Sequence, residues 1–319
     1  MGVTIFSPAK INLYLAVTGR RVDGFHDLVS VVAPLTFGDE LTATLVERRG
    51  DELFSLECDR PDVPRDASNL VLKAAQAFAA QTGWPDCAGQ KSVHFALTKR
   101  IPMGAGLGGG SSNAAAALRA LNTLSGTLLS EAELATIAAK IGSDCALFLY
   151  EKPVIMRGRG EEIETLPKDA ARSLSGRRVL LFKPSFGIST PWAYNRMAAE
   201  APRHYLPGPS AEERLAKWRN TPDDISRLLF NNMETVAFEK FVALPILLEQ
   251  LRCAFGVEGR MSGSGSTCFV LLNHGPAFDV GPRAQAEPVA DKSGGVTQMA
   301  QLIRQSWGDH VFLQETSLV

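Results

Sequence analysis

Aliphatic residues recur at every second position from Ile11 through Leu13 and Leu15 to Val17, with Lys10, Asn12, Tyr14 and Ala16 between them. A period of two is that of a strand with one buried face. The spacing therefore predicts a strand over 11–18 with the aliphatics in the core and Lys10, Asn12 and Tyr14 together on the other face. A shorter strand is expected at 3–6, set apart by Ser7-Pro8-Ala9, and apolar runs predict further strands at 28–35, 41–47, 53–57 and 92–97. The first half is thus rich in antiparallel-type sheet. Helical spacing marks 68–81 and 130–141, and two short strands are expected within 154–166.

Composition loosens at 168–177, which sets a domain boundary and two domains, 1–167 and 168–319. Beyond it a strand is expected at 178–183, followed by a helix with Thr190 as cap and Pro191 in its first turn. A proline-rich stretch at 201–209 leads to a helix at 210–220, whose S-A-E-E has the form of a capping box. Helices are also expected at 221–230 and 244–255. Residues 260–272, RMSGSGSTCFVLL, read as a glycine-rich turn feeding a buried strand, and 273–295 as a loop-like insertion. Segments 296–307 and 311–313 close the domain.

The 319 residues are enough for two domains with real cores. Hydrophobic content of 45% and charged content of 21% are those of a soluble globular protein, expected in the cytoplasm. A net charge of −1 argues against a nucleic-acid or membrane-surface binder. No apolar run is long enough to span a membrane, and the first residues lack a signal peptide's basic and apolar regions. The five cysteines are scattered without a C-x-x-C and read as reduced thiols.

The candidate chemistry begins at Lys99, in KRIPMGAGLGGGSSNAAAAL. Glycines at 104, 106, 108, 109 and 110 give way to Ser111, Ser112 and Asn113 and then to an alanine run, the best helix former. Glycine permits close backbone approach to a ligand, and a helix start offers N–H groups to an anion. Phosphate is the natural occupant. The P-loop pattern fails, because Gly109 is followed by Gly110 and not by lysine. Gly104, Gly106 and Gly109 satisfy G-x-G-x-x-G, but its acid partner would have to be Glu131 or Glu133, inside a helical pattern. A flexible linker is a poor account of Pro102, a glycine cluster and a strong helix start together.

Other positions admit two readings. Asp144, between a helix end and an expected apolar strand, is a turn residue or a carboxylate in need of a partner. Phe25 and His26, on the polar turn GRRVDGFH, are cover for a core edge or ligand contacts. Asn69 at a helix start is a plain cap or a ligand contact.

Taken whole, P-x-G-A-G-L-G-G-G-S-S-N-A-A-A resembles the phosphate loop of the GHMP kinase superfamily, and its triple glycine resembles one branch of it. Ser7-Pro8-Ala9-Lys10-Ile11-Asn12-Leu13 is similar to the first superfamily motif, and 260–272 to the third, which packs against the phosphate loop. GRRVDGFH is similar to the segment with which that branch holds cytosine, with Phe25 where tyrosine is usual. Gly142-Ser143-Asp144-Cys145-Ala146 resembles the segment that supplies the catalytic aspartate, with Ala146 in place of the usual proline.

The resemblance implies an α+β, two-domain fold, with a ribosomal protein S5 domain 2-like first domain, a ferredoxin-like second one and the site in the cleft between them. It implies ATP and Mg²⁺ as cofactors, and a small-molecule substrate, cytidine-diphosphate-linked 2-C-methyl-D-erythritol, phosphorylated on its 2-hydroxyl. Lys10 and Asp144 would be catalytic. ATP would be held by Asn69, Lys99, Pro102, Met103, Gly104, Ala105, Gly106, Leu107, Gly108, Gly109, Gly110, Ser111 and Ser112. Asn12, Phe25, His26, Thr190 and Tyr194 would hold the substrate, with Tyr194 as a second aromatic wall for the base. No acidic cluster announces metal ligands, the chain is expected to be a monomer or weak homodimer, and the region from 201 to 222 is longer than in typical relatives. The alternatives are a sibling kinase acting on another alcohol and a non-catalytic nucleotide-binding relative; loss of Lys10 or Asp144 would signal the latter, and both are present.

Overall fold

The computed structural model describes residues 2–48, 50–85, 91–272 and 294–319. It divides into two compact units that interleave along the chain. The first holds 1–10, 34–103 and 108–154; the second holds 11–33, 104–107 and 155–319. The boundary expected after 167 falls inside the second unit, where α4 (Lys168–Leu174) begins.

Two long strands supply residues to both units: β1 (Gly2–Arg20) and β2 (His26–Glu47). Each was expected as two shorter strands. β1 runs straight through Ser7-Pro8-Ala9, and β2 through the polar stretch at Asp39. Nor is β1 half-exposed between Ala9 and Val17: Lys10 and Asn12 are buried along with Ile11, Leu13 and Val17, so both faces are covered there.

In the first unit, β4 (Lys91–Thr98) pairs antiparallel with β2, Leu41 opposite Leu97, and parallel with β3 (Phe54–Cys58), Leu56 opposite Phe95. α1 (Leu70–Thr82) packs on α2 (Gly109–Ser125). α1 contributes Val71, Ala74, Ala75 and Phe78; α2 contributes Ala114, Ala117, Leu118 and Leu121. α3 (Glu131–Ile141) starts with a complete capping box from Ser130 and Glu133. The apolar stretch after Asp144 is a 3₁₀ turn, Ala146–Leu149, and not a strand. Its four residues are all buried, so their unbroken apolarity reflects enclosure rather than sheet.

In the second unit, β7 (Arg178–Lys183), β9 (Gly259–Met261), β10 (Cys268–Leu272) and β11 (Phe312–Ser317) form an antiparallel sheet in the order β11-β7-β10-β9. Of β5 (Val154–Arg157) only the first residue, Val154, belongs to the first unit; β6 (Glu162–Thr165) pairs with β5. Tyr14 and Leu15 of β1 pair parallel with Phe230 and Asn231 of β8 (Phe230–Asn231). The core joins Leu15, Val17, Phe182, Met197, Val236, Val270 and Ile303. α8 (Ala243–Phe255) enters it through Leu244, Leu247, Leu248 and Leu251, the spacing of a single helical face.

Several expected boundaries shift. α5 (Thr190–Ala199) is capped by the Ser189 hydroxyl and not by Thr190, which frees the Thr190 side chain for the contact described below. α6 (Gly208–Asn220) starts earlier than S-A-E-E, behind Pro207, so that tetrad lies in its first turn and makes no capping box. No helix forms at 221–230: a short 3₁₀ turn, Ile225–Arg227, is followed by β8. α7 (Met233–Lys240) was not anticipated. α9 (Gly294–Trp307) includes the last two residues of the expected loop at 273–295; the rest of that loop lies outside the described residues. Among the described residues no helix is long and apolar enough to cross a membrane.

Candidate active site

The first unit carries a buried polar chain around the start of α2. Lys99 ion-pairs with Asp39 through Nζ and donates to Asn113 Oδ1 at 3.1 Å. Asp39 Oδ1 accepts the backbone N–H groups of Arg100 (2.7 Å) and Ile101 (2.8 Å), while Oδ2 accepts from Asn113 Nδ2 at 2.9 Å. Asn113 also donates to Ser7 Oγ, and Ser7 donates to Ser112 Oγ, each at 2.8 Å. Every member is satisfied, and that makes such a buried network worth keeping. Glycine is required beside it: a Cβ on Gly38 would lie 2.3 Å from Ser7 O.

The glycine loop has the conformation its composition demands. Gly104, Gly106 and Gly108 have φ of +58°, +74° and +72°, the left-handed region that favours glycine. Within the first unit, a Cβ on Gly108 would lie 2.7 Å from the Phe148 ring and 3.1 Å from Lys10 Cγ, and one on Gly109 would lie 2.9 Å from Lys99 Nζ. α2 begins here, so its first N–H groups have no intrahelical acceptor, and its first turn carries no acidic residue. That is the electrostatic profile of an anion site.

Within the second unit, the loop segment 104–107 meets the glycine turn that follows β9. Thr267 N–H donates to Ala105 O at 3.2 Å, Ser262 Oγ donates to Gly106 O at 3.0 Å, and Asn12 N–H donates to Ser262 Oγ at 3.3 Å. A Cβ on Gly106 would lie 2.3 Å from Ser262 O. The Asn12 side chain donates to Ser30 Oγ at 2.9 Å. Thr190 Oγ1 and Ser264 Oγ share a hydrogen bond of 2.7 Å.

Lys10 and Asp144 interact as opposite charges in the first unit. Burial lowers the Lys10 pKa below its ordinary value, and the Asp144 carboxylate works against that shift. Beside them, burial pushes the Cys145 thiol up to about 11, while a hydrogen bond with Ser111 opposes the shift. A carboxylate, a buried ammonium and a hydroxyl therefore gather at this end of α2.

Three aromatic residues gather in the second unit. The His26 and Tyr194 rings lie 4.7 Å apart, tilted by 34°, and His26 Nε2 is 3.0 Å from Tyr205 Oη. Phe25, half exposed, lies beneath the Arg159 guanidinium, 4.7 Å from ring centroid to Cζ. The aromatic packed on Tyr194 is thus His26. Asn69 caps α1, accepting from Val71 N–H at 2.9 Å.

Sequence reasoning missed several supports. Asp39 lay in the polar stretch between two expected strands and was given no role, although a carboxylate beside Gly38 was a signal. Asn231 donates to Met261 O (2.7 Å) and Gly263 O (2.8 Å) and so shapes the second glycine turn. Glu234 accepts Met261 N–H at 2.8 Å, and burial pushes its carboxyl up to about 7 against the opposing Arg260. Tyr205 lay in a proline-rich stretch to which no role was given.

One group of described residues is dense enough to offer a metal three side-chain ligands: Glu200, His204 and Glu239. Its carboxylates are committed to Arg196 and Arg203, and His204 Nε2 lies 3.0 Å from Glu200 Oε2. This donor set is an ion-pair network and fits a metal poorly.

Residues 69–152 match the family model of the GHMP kinases N terminal domain. The chain is 36% identical over 301 residues to the 4-diphosphocytidyl-2-C-methyl-D-erythritol kinase of Synechococcus elongatus, covering 91% of this chain and 92% of that one. It is 37% identical over 289 residues to the protein of the same name from Methylacidiphilum infernorum, covering 89% and 92%. The crystal structure of a 4-(cytidine 5'-diphospho)-2C-methyl-D-erythritol kinase superposes with a TM-score of 0.71 over 99% of both chains at 28% identity. With these similarities added to a glycine cradle at the start of α2 and the Lys10–Asp144 pair, the chain belongs to the GHMP kinase superfamily and has its two-domain α+β fold.

Proposed function

We propose that this kinase transfers the γ-phosphoryl group of ATP to the 2-hydroxyl of 4-diphosphocytidyl-2-C-methyl-D-erythritol, a step towards isoprenoid precursors by the non-mevalonate route. The observation that carries the reading is the buried Lys10 side chain lying against Gly108 at the glycine-rich start of α2, with the Asp144 carboxylate acting on its charge. Identity above 30% to relatives of that name, over nine-tenths of the chain in the first case, supports the substrate.

Phosphoryl transfer asks for positioning and electrostatics more than covalent machinery. In this reading the N–H groups at 104–110 receive the triphosphate, and the Ser111 and Ser112 hydroxyls flank it. The Lys99–Asp39–Asn113 network holds the loop's entry against α2, so the cradle is formed before the ligand arrives. Mg²⁺ arriving with the nucleotide would supply charge neutralisation; magnesium keeps much of its water and needs few protein ligands. Asp144 accepts the proton of the attacking hydroxyl. Lys10 stabilises charge on the transferred group. Phe25, His26 and Tyr194 recognise cytosine, while Asn12 and Thr190 contact the rest of the substrate.

The test is ADP release measured with the cytidine substrate, mevalonate and homoserine in parallel. Release that depends on the cytidine substrate supports the reading. Release with either of the others in its place assigns the chain to a sibling activity, and no release with any of them leaves a nucleotide-binding relative.

A further inference from the structure

We propose that Tyr205 is a positioning residue that fixes the tautomer of His26 and so sets the preference for cytosine over uracil. The inference rests on the cytidine reading above and gives the 201–209 segment a role.

The geometry is specific. Tyr205 Oη lies 3.0 Å from His26 Nε2, and the two ring centroids are 5.8 Å apart. Both neighbours of Tyr205 are pinned. His204 O accepts from Asn232 Nδ2 at 2.9 Å, and Leu206 N–H donates to Val17 O at 3.1 Å. Tyr205 N–H itself donates to Pro202 O at 3.0 Å. The Asn232 side chain also accepts Val17 N–H at 2.8 Å and donates to Val17 O at 2.8 Å, so the tyrosine is tied to the strand that leads towards His26. A phenol mounted this firmly constrains the imidazole it meets.

Chemistry decides the direction of the bond. A neutral imidazole has one donor and one acceptor nitrogen. The phenol O–H is the more acidic donor, and an unprotonated imidazole nitrogen is the better acceptor, so the favoured arrangement has Tyr205 donating to Nε2. The surroundings agree. Burial and Arg20 lower the His26 pKa, against a smaller opposing effect of Asp27, which keeps the ring neutral at pH 7. Burial raises the Tyr205 pKa, so the phenol keeps its proton. With Nε2 occupied as acceptor, the remaining proton resides on Nδ1, which becomes a donor. Cytosine presents acceptors at N3 and O2, whereas uracil carries a proton on N3. A donor held at this position suits cytosine and clashes with the N3–H of uracil. Losing the phenol frees His26 to present an acceptor instead, and discrimination falls.

The test uses Tyr205→Phe, which keeps the ring and removes only the hydroxyl. The ¹⁵N shifts of His26 in labelled enzyme report the tautomer, and the ratio of kcat/KM for cytidine and uridine forms of the substrate reports discrimination. The wild type should show a protonated Nδ1 and a hydrogen-bonded, unprotonated Nε2. The variant should show mixed tautomers and a discrimination ratio lowered about threefold to tenfold, the range of one neutral hydrogen bond, with ATP affinity unchanged. Identical His26 shifts in the two proteins would overturn the inference. So would altered shifts with unchanged discrimination. A wild type that does not prefer the cytidine form would instead sink the cytidine reading, and the inference with it; the shifts separate that outcome from failure of the contact.

Discussion

The carboxylate of Asp144 opposes the desolvation of the Lys10 ammonium, a residue buried on both sides in β1. A buried charge is costly unless compensated, so the Lys10 ammonium depends on the Asp144 carboxylate to hold its proton. Asp144→Asn should leave ATP affinity nearly intact and lower turnover about 10²- to 10⁴-fold. Lys10→Ala should behave alike, with the double variant less than additive because the two act as a unit. Removing the Asp144 charge removes what raises the lysine's pKa, so Lys10 should lose its proton at lower pH in Asp144→Asn. The alkaline limb of the residual kcat profile should move to lower pH; steady-state rates across pH check this.

Gly108 has φ of +72° and lies against Phe148 and Lys10. Gly108→Val should abolish nucleotide binding, because a β-branched side chain opposes positive φ and has no room there. Gly109→Val should do the same for a different reason: its φ is not positive, and crowding by Lys99 and Ile101 is what excludes a side chain. Calorimetry with a non-hydrolysable ATP analogue measures the loss, and circular dichroism shows whether the fold persists. Wild-type affinity in both would mean that the phosphates bind elsewhere.

Phe25 is half exposed beneath Arg159, available to stack on a planar ligand. Stacking of a base on an aromatic ring is worth roughly 1–3 kcal/mol. Phe25→Ala should therefore raise the substrate Kd about 5- to 150-fold, at about 1.4 kcal/mol per decade. Phe25→Tyr should be nearly neutral, and ATP affinity should hold in both. Titration of each variant with substrate and with nucleotide checks it. An unchanged substrate Kd in Phe25→Ala would leave the turn with a structural role.

The sequence made the local chemistry legible and left its long-range supports hidden. The glycine loop was readable because φ and close approach constrain residue type locally, as Gly104, Gly106 and Gly108 show. Asp39 was not, since its partners Lys99 and Asn113 are 60 and 74 positions away. The strand over 11–18 was read correctly, but its burial on both faces was not, because alternation reports only the more apolar face. The stretch 221–230 was read as a capped helix, yet Asn231 and Asn232 use their amides on the second glycine turn and on β1 and end the segment as a short strand. Tyr205 gave no local signal at all. Its meaning depends on His26, 179 positions earlier.

Phosphorus NMR of the product, recorded beside ADP formation, tests the central claim most directly. The methyl-bearing carbon that carries the 2-hydroxyl has no hydrogen, so a phosphate monoester on that oxygen shows no three-bond splitting by protons. The account predicts one new monoester resonance, unsplit without proton decoupling, that grows in step with ADP and disappears in Asp144→Asn. A resonance split by neighbouring protons, or ADP accompanied only by free phosphate, would contradict it.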